Sequence, residues 1–489
     1  MMKLLIVLHR YLGVAVGLLM VLWCLSGLVM MYQGYPKLEG SDRLEGLPVL
    51  RLTPIQARGP IDLPDDASLT GFRLEMMAGR PVLHITRGAG RGQALDLLTG
   101  APLNTLSAVQ ALQVARDFAA GAGVAGSAED LGVIDVDQWT LDGGNRAGPI
   151  HHLRYDDREG TEIYVAAGAG DVMQRTTGRT RLLAWVGAVP HWLYPTVLRK
   201  NPQAWDAVVV WTSSIGVFLT GFGLYLGIAR FKRYKSGRWS PYRGWFYWHH
   251  IIGLAFGVLT LTWVLSGLFT MGPWGLFDSD AGRAERSRLA GAITGAEAKA
   301  FVKLAPAILR NNTVQLEAAP FAGRLFVMAT ARGGGVTRLD SDGRPAPLSR
   351  AEVAAGLNTL GEPVAALDRL DGPDRYYYPG YDGGVSFPAY RATLKDPQAT
   401  ALYIDGVTGR IRRAVDAAGR QGRFWRVGLH DFDFAPLRAR PLWDVVVLTL
   451  LAGVTGTCVT GLWLAIRRIG LDAAGLKARV SAWRVRRPI

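Results

Sequence analysis

The sequence predicts a membrane α-helical bundle of four transmembrane helices with two extracytoplasmic α+β regions, arranged as an internal parallel duplication. Three observations predict it. Four apolar stretches are long enough to span a bilayer, the basic excess is confined to the short segments around them, and one set of motifs occurs twice.

The apolar stretches are Leu4 to Met31, Ala207 to Ala229, Phe246 to Met271 and Leu442 to Ile466. Each reaches the roughly 20 residues that a helix needs to cross about 30 Å of hydrocarbon. The first outruns the apolar core of a secretory signal, and no small-residue cleavage site follows in Tyr32-Gln-Gly-Tyr35, so it reads as an uncleaved span. The net charge of +15 lies almost wholly in three places. Arg230 to Arg243 holds six basic residues and no acidic one, the tail from Arg467 holds seven against Asp472 alone, and Lys3 and Arg10 stand at the start of the first stretch. Short basic loops stay in the cytoplasm and long loops are translocated. The expected order is therefore a transmembrane helix over 1–33, an extracytoplasmic region over 34–203, a helix over 204–230, a cytoplasmic basic loop over 231–244, a helix over 245–272, a second extracytoplasmic region over 273–441, a helix over 442–466 and a cytoplasmic basic tail over 467–489. The charge is a topology signal rather than a nucleic-acid footprint. Both cysteines, Cys24 and Cys458, fall inside the spans, which excludes a disulfide framework, a Cys-x-x-Cys-His attachment and a thiolate cluster.

The duplication is legible in the spans. Leu8-His-Arg-Tyr-Leu-Gly-Val-Ala-Val-Gly17 aligns with Trp248-His-His-Ile-Ile-Gly-Leu-Ala-Phe-Gly257, and Ser26-Gly-Leu28 with Ser266-Gly-Leu268. Trp205-Asp aligns with Trp443-Asp, and Thr220-Gly221 is read against Thr460-Gly461. Ahead of these spans, Leu183 to His191 resembles Phe424 to His430. Within the outer regions, capping boxes are expected at Thr53/Gln56, Ser107/Gln110, Thr294/Glu297 and Ser349/Glu352. Strand alternation follows at Arg73-Leu-Glu-Met and Val82-Leu-His-Ile, and the turns Asp96-x-x-Thr-Gly100 and Asp405-x-x-Thr-Gly409 recur. Four small α+β units, two per outer region, are the expectation.

Leu8-His-Arg-Tyr-Leu-Gly…Leu-Ser-Gly-Leu28, Leu429-His-Asp-Phe-Asp-Phe…Trp443, Thr460-Gly-Leu-Trp463 and Tyr403-Ile-Asp-Gly-Val-Thr-Gly409 together resemble the PepSY-associated transmembrane helix family. The resemblance covers nearly the whole chain and makes the outer regions PepSY-like. It implies a FoxB-like di-haem reductase of the bacterial inner (cytoplasmic) membrane, with both termini cytoplasmic, that releases iron from imported ferric siderophores.

The histidines carry the chemical reading. His9 and His249 occupy matched positions in the first and third spans, where an ionisable group is costly and faces the bundle interior. Positions i, i+4 and i+8 share a helix face, so His9-Gly13-Gly17 and His249-Gly253-Gly257 each set an imidazole above a flat glycine strip. That pattern suits one non-covalent b-type haem, with Gly13, Gly17, Gly253 and Gly257 facing the porphyrin. Close helix packing through small residues is the competing explanation of the glycines. His250 is the alternate ligand to His249. His191 and His430 precede the second and fourth spans and are expected to hold a second b-type haem near the outer face. The leading reading is a haem-dependent oxidoreductase. It would carry electrons from an unidentified cytoplasmic or membrane donor, through the bilayer, to a ferric siderophore or other periplasmic acceptor. The alternative is a membrane-anchored PepSY regulatory or peptidase-inhibitor module without redox activity. His84 reads as structural, and His151 and His152, as strand neighbours, face opposite ways. Tyr376 to Tyr381 reads as a loop or core cluster, and Gly88-Ala-Gly-Arg-Gly92 lacks the following helix of a dinucleotide site.

Overall fold

The computed structural model describes residues 2–88, 92–103, 105–141, 148–380 and 385–485, with side chains to 475 in the last helix. The chain divides into two compact units: Met1–Tyr35 with Leu182–Asp278 and Gln421–Ile489, and Pro36–Arg181 with Ser279–Arg420.

The first unit is helical. Its four long helices are α1 (Met2–Met30), α2 (Pro202–Arg230), α3 (Trp245–Thr270) and α4 (Leu442–Val485). Each contains a stretch long and apolar enough to cross a membrane. Asn201 caps α2 by accepting from the Ala204 N–H, and Pro202 follows at the first helical position, where its missing N–H costs nothing. α4 does not stop at Ile466. It runs on to Val485, because Ala, Leu, Lys and Arg, good helix formers, dominate the basic tail. Both α1 and α3 pack against α2 and α4. Val16, Met20, Val21 and Cys24 of α1 and Val454 and Cys458 of α4 form the buried centre, flanked by Trp23, Leu219, Phe256, Trp263 and Leu462.

The second unit holds four α+β groups. The first contributes β1 (Gly71–Met77), β2 (Arg80–Thr86) and β3 (Gln93–Asp96). The second places helix Ala108–Gly121 against β4 (Ala128–Ile134), β5 (Ile150–Tyr155), β6 (Glu162–Ala166) and β7 (Val172–Thr176). The third has helix Gly295–Ile308 with β8 (Thr313–Ala318), β9 (Val327–Ala331) and β10 (Val336–Leu339). The fourth has helix Arg350–Leu357 with β11 (Val364–Leu370), β12 (Ala389–Leu394), β13 (Ala401–Asp405) and β14 (Ile411–Val415). The expected units are present, but they are not separate. β8 pairs antiparallel with β1, Leu316 opposite Leu74, so the first and third groups share one six-stranded sheet. Local alternation fixes which face of a strand is buried and does not say which edge it joins.

Three capping boxes form as expected, at Thr53, Ser107 and Thr294. At Ser349 only half forms: the hydroxyl accepts from the Glu352 N–H, while the Glu352 carboxylate pairs with buried Arg338 at 2.7 Å. The two Thr-Gly turns match in detail, with Gly100 and Gly409 both at φ +76° and donating to the carbonyls of Asp96 and Asp405. Tyr377 is buried and stacks on Tyr403 at 5.2 Å with planes 9° apart, so the tyrosine run is a core cluster as far as it is described. Tyr381 and residues 89–91 of the glycine loop lie outside the described residues.

Candidate functional site: two facing histidine pairs

Within the helical unit the structure brings His9 of α1 to His249 of α3, with ring centroids 6.2 Å apart and planes at 28°. It also brings His191, ending the short helix Ala188–His191, to His430, in Leu429–Asp431, at 6.1 Å and 59°. Both predicted pairs are therefore formed. An imidazole nitrogen sits about 2.0–2.1 Å from a bound transition metal. With the ring centre about 1.1 Å behind the nitrogen, two imidazoles on opposite sides of one metal have centroids about 6.2–6.4 Å apart. Both pairs have the spacing for that arrangement.

The hydrogen bonds assign the tautomer of each ring. His9 Nδ1 lies 3.0 Å from the Leu219 carbonyl, and His191 Nδ1 lies 3.2 Å from the Trp23 carbonyl. A carbonyl only accepts, so both Nδ1 atoms carry the proton. His249 Nδ1 faces the Thr460 hydroxyl at 3.1 Å, and that hydroxyl already donates to the Gly456 carbonyl. His430 Nδ1 faces the Ser266 hydroxyl at 3.1 Å, which donates to the Trp263 carbonyl. These hydroxyls therefore accept from the rings as well. All four imidazoles are Nδ1–H tautomers with the lone pair on Nε2, the form in which neutral histidine binds a metal.

Each ring lies on a glycine of a neighbouring helix. A Cβ at Gly223 of α2 would stand 2.5 Å from His9 Cε1, and one at Gly461 of α4 would stand 3.0 Å from His249 Cε1. Gly27 and Gly267 play the same part for His191 and His430, at 3.4 and 3.2 Å. Real Cβ contacts are almost never under 3.0 Å, so a side chain at Gly223 competes directly with the His9 ring, and one at Gly461 crowds the His249 ring. Sequence reasoning used Ser26-Gly27 and Ser266-Gly267 only for alignment and missed this role. It also paired Gly221 with Gly461, whereas the geometry pairs Gly223 with Gly461, the register already set by Trp205 and Trp443.

A Cβ at each glycine of the strips would meet a neighbouring helix: Leu219 Cδ1 at 3.9 Å for Gly13, Leu462 at 3.6 Å for Gly17, Thr457 Cγ2 at 3.8 Å for Gly253 and Leu224 Cδ1 at 3.1 Å for Gly257. The four glycines line the contacts of α1 and α3 with α2 and α4, the small-residue packing of membrane helices. An open groove of about 410 Å³ runs along Gly244, Trp245, Trp248, Ile252 and Thr460, sharing Thr460 with His249.

His250 is also corrected as an alternate. Its Nε2 lies 2.9 Å from the Gly227 carbonyl and so carries the proton, and its Nδ1 lies 2.8 Å from the Ser240 hydroxyl. Both nitrogens are used, one tying α2 and the other the loop after it to α3. His250→Ala is expected to cost about 1–3 kcal/mol of stability, by stranding buried polar partners, and to leave any bound cofactor in place. Denaturation midpoint and cofactor content, measured together, check this.

His191 lies outside the four spanning helices. Burial, and next the neighbouring His430, push its imidazole down to about 4, against the pull of the Trp23 carbonyl. The folded state therefore binds fewer protons than the unfolded state between about pH 6.5 and 4, and stability falls as pH drops through that window. The thermal midpoint of cofactor-free protein is expected to decline across it, and His191→Gln to flatten the decline.

The other histidines are accounted for locally. His151 joins Asp130 and the Leu106 carbonyl on one face of β5, and His152 joins Glu162 on the other. His84 meets Glu75 and Asp171, a triplet with metal-ligand spacing. Arg43 at 2.6 Å from Glu75 and Arg73 at 2.5 Å from Asp171 already balance its charge, and Gln315 bonds Glu75 at 2.9 Å. It is a buried ion-pair network joining the first three α+β groups.

The family model described as "PepSY-associated TM region" matches residues 6–468. No curated protein matches the chain.

Proposed function

The chain belongs to the PepSY-associated TM-region family, and on that premise we propose that it is a di-haem b reductase of a bacterial inner membrane, passing electrons from the cytoplasmic side to a periplasmic ferric siderophore. The observation that carries this reading is the set of four Nδ1–H imidazoles, paired at 6.2 and 6.1 Å. His9 and His249 would hold one haem, His191 and His430 the other. The two haem irons supply one-electron transfer when bound.

The chain's own residues do the rest. The Leu219 and Trp23 carbonyls and the Thr460 and Ser266 hydroxyls accept the Nδ1 protons, which fixes each ring's orientation and raises the basicity of Nε2. The buried aliphatic centre of α1 and α4 excludes water between the helices. Eighteen residues separate His9 from Gly27, and His249 from Gly267, about 27 Å of helix, so the pairs are served by opposite ends of the same two helices. The short basic segments support cytoplasmic termini and periplasmic α+β groups. Reduction of the substrate's iron to Fe(II) loosens its hold on hard oxygen donors, which releases it.

The test uses the purified protein, reduced and mixed with a ferric hydroxamate siderophore and a ferrous-specific chelator. Ferrous complex forming at a rate that depends on the protein supports the reading. Reoxidation of the protein by ferricyanide but not by any ferric chelate would remove the siderophore and leave another acceptor.

A further inference from the structure

The two outer histidines sit in segments that share little beyond the histidine, Pro190-His-Trp-Leu-Tyr194 and Leu429-His-Asp-Phe-Asp433. Their backbones are nevertheless alike. Each histidine lies in a short helix, Ala188–His191 or Leu429–Asp431. Two residues on, the chain turns left-handed, at Leu193 with φ +50° and at Phe432 with φ +53°. That conformation brings the Cβ against the following carbonyl oxygen, and neither Leu nor Phe has the short polar side chain that offsets it. Such strain persists only where the surroundings hold it.

The same kind of residue holds it in both halves. Trp205, in the first turn of α2, donates its indole N–H to the Trp192 carbonyl at 2.9 Å. Trp443, in the first turn of α4, donates to the Asp431 carbonyl, also at 2.9 Å. In each case the acceptor directly follows the histidine and directly precedes the left-handed residue. An indole nitrogen only donates, so the direction of both bonds is fixed. The last carbonyls of a helix have no partner within it, and this bond ties each histidine helix to the head of a spanning helix. A guanidinium lies over each indole, Arg199 at 4.7 Å from the Trp205 ring and Arg440 at 4.4 Å from the Trp443 ring. The arginines stand six and three residues before their tryptophans, so an alignment of the two halves does not pair them.

We propose that Trp205 and Trp443 are positioning residues for the outer pair, each latching the strained turn behind one histidine and so setting the direction of its Nε2 lone pair. The proposal rests on the reading that His191 and His430 hold a haem. The tryptophans act through the backbone, while the rings are held separately, His191 by the Trp23 carbonyl of α1 and His430 by the Ser266 hydroxyl of α3. Each outer histidine is thus fixed from two spanning helices, its ring from one and its backbone from the next. Without the latch the turn relaxes, and the imidazole plane rotates with it.

Trp205→Phe and Trp443→Phe keep an aromatic ring beneath the arginine and remove the N–H. Two measurements on the full-length protein in detergent test them. In cofactor-free protein, amide hydrogen exchange over residues 188–194 is expected to speed up about tenfold in Trp205→Phe, the worth of one such bond, and to keep its wild-type rate in Trp443→Phe. Residues 429–434 should show the reverse. In haem-loaded protein, the low-spin electron paramagnetic resonance signal and the midpoint potential of the outer haem should shift in both variants, with those of the inner haem unchanged. A role in stability alone would move the exchange and leave the outer signal in place. Unchanged exchange, or faster exchange with an unchanged outer signal, overturns the proposal. Wild-type protein that binds no haem would overturn the di-haem reading, and the exchange would still decide for or against the latch.

Discussion

His430→Ala is expected to purify with one haem per chain instead of two, and His191→Ala to do the same. Both rings of the outer pair are fixed from behind, His430 by Ser266 and His191 by Trp23 and Ser26. The loss should be confined to the outer haem, because the inner pair is held by Leu219 and Thr460, which touch neither outer histidine. A haemochrome count on the two variants and on His9→Ala checks the assignment. Two haems retained in His430→Ala would remove that residue from the ligand set.

Gly223→Ala is expected to abolish or sharply reduce the inner haem, although no ligand is changed. The new methyl would lie 2.5 Å from His9 Cε1, 3.0 Å from Nδ1 and 3.4 Å from Nε2. The ring has to swing away, and its 3.0 Å bond to the Leu219 carbonyl is lost with it. Gly13→Ala is the control. Its methyl would meet only Leu219 Cδ1 at 3.9 Å, an ordinary contact, and haem content should stay at the wild-type value. The strip reading drawn from the sequence predicts the reverse order, so this pair of variants decides between the two roles for glycine.

The spanning helices were legible in the sequence because a bilayer sets a minimum length and admits few charges, and both are local properties. The four histidines were legible because each pair recurs at matched positions of the duplication, and an ionisable group within an apolar helix, as His9 and His249 are, is costly without a use. The part that glycine plays beside the imidazoles was not legible, for a physical reason. A shared helix face shows which residues point together, and it does not show whether that face meets a neighbour or a cavity. Gly13 and Gly17 turn to α2 and α4, while Gly223 and Gly461, on the partner helices, turn to the imidazoles. His250 likewise gave no local sign of its two bonds, since Gly227 and Ser240 reach it only after the loop has folded back. The pairing of β1 with β8 was hidden in the same way, because it joins residues some 240 positions apart.

Whether four Nε2 lone pairs hold two haems is tested most directly by a pyridine haemochrome count on protein produced with ample haem, alongside oxidised and dithionite-reduced spectra. Two b-type haems per chain with sharp reduced bands of bis-histidine ligation are expected. No haem bound would contradict the di-haem reading and leave a membrane-anchored regulatory module.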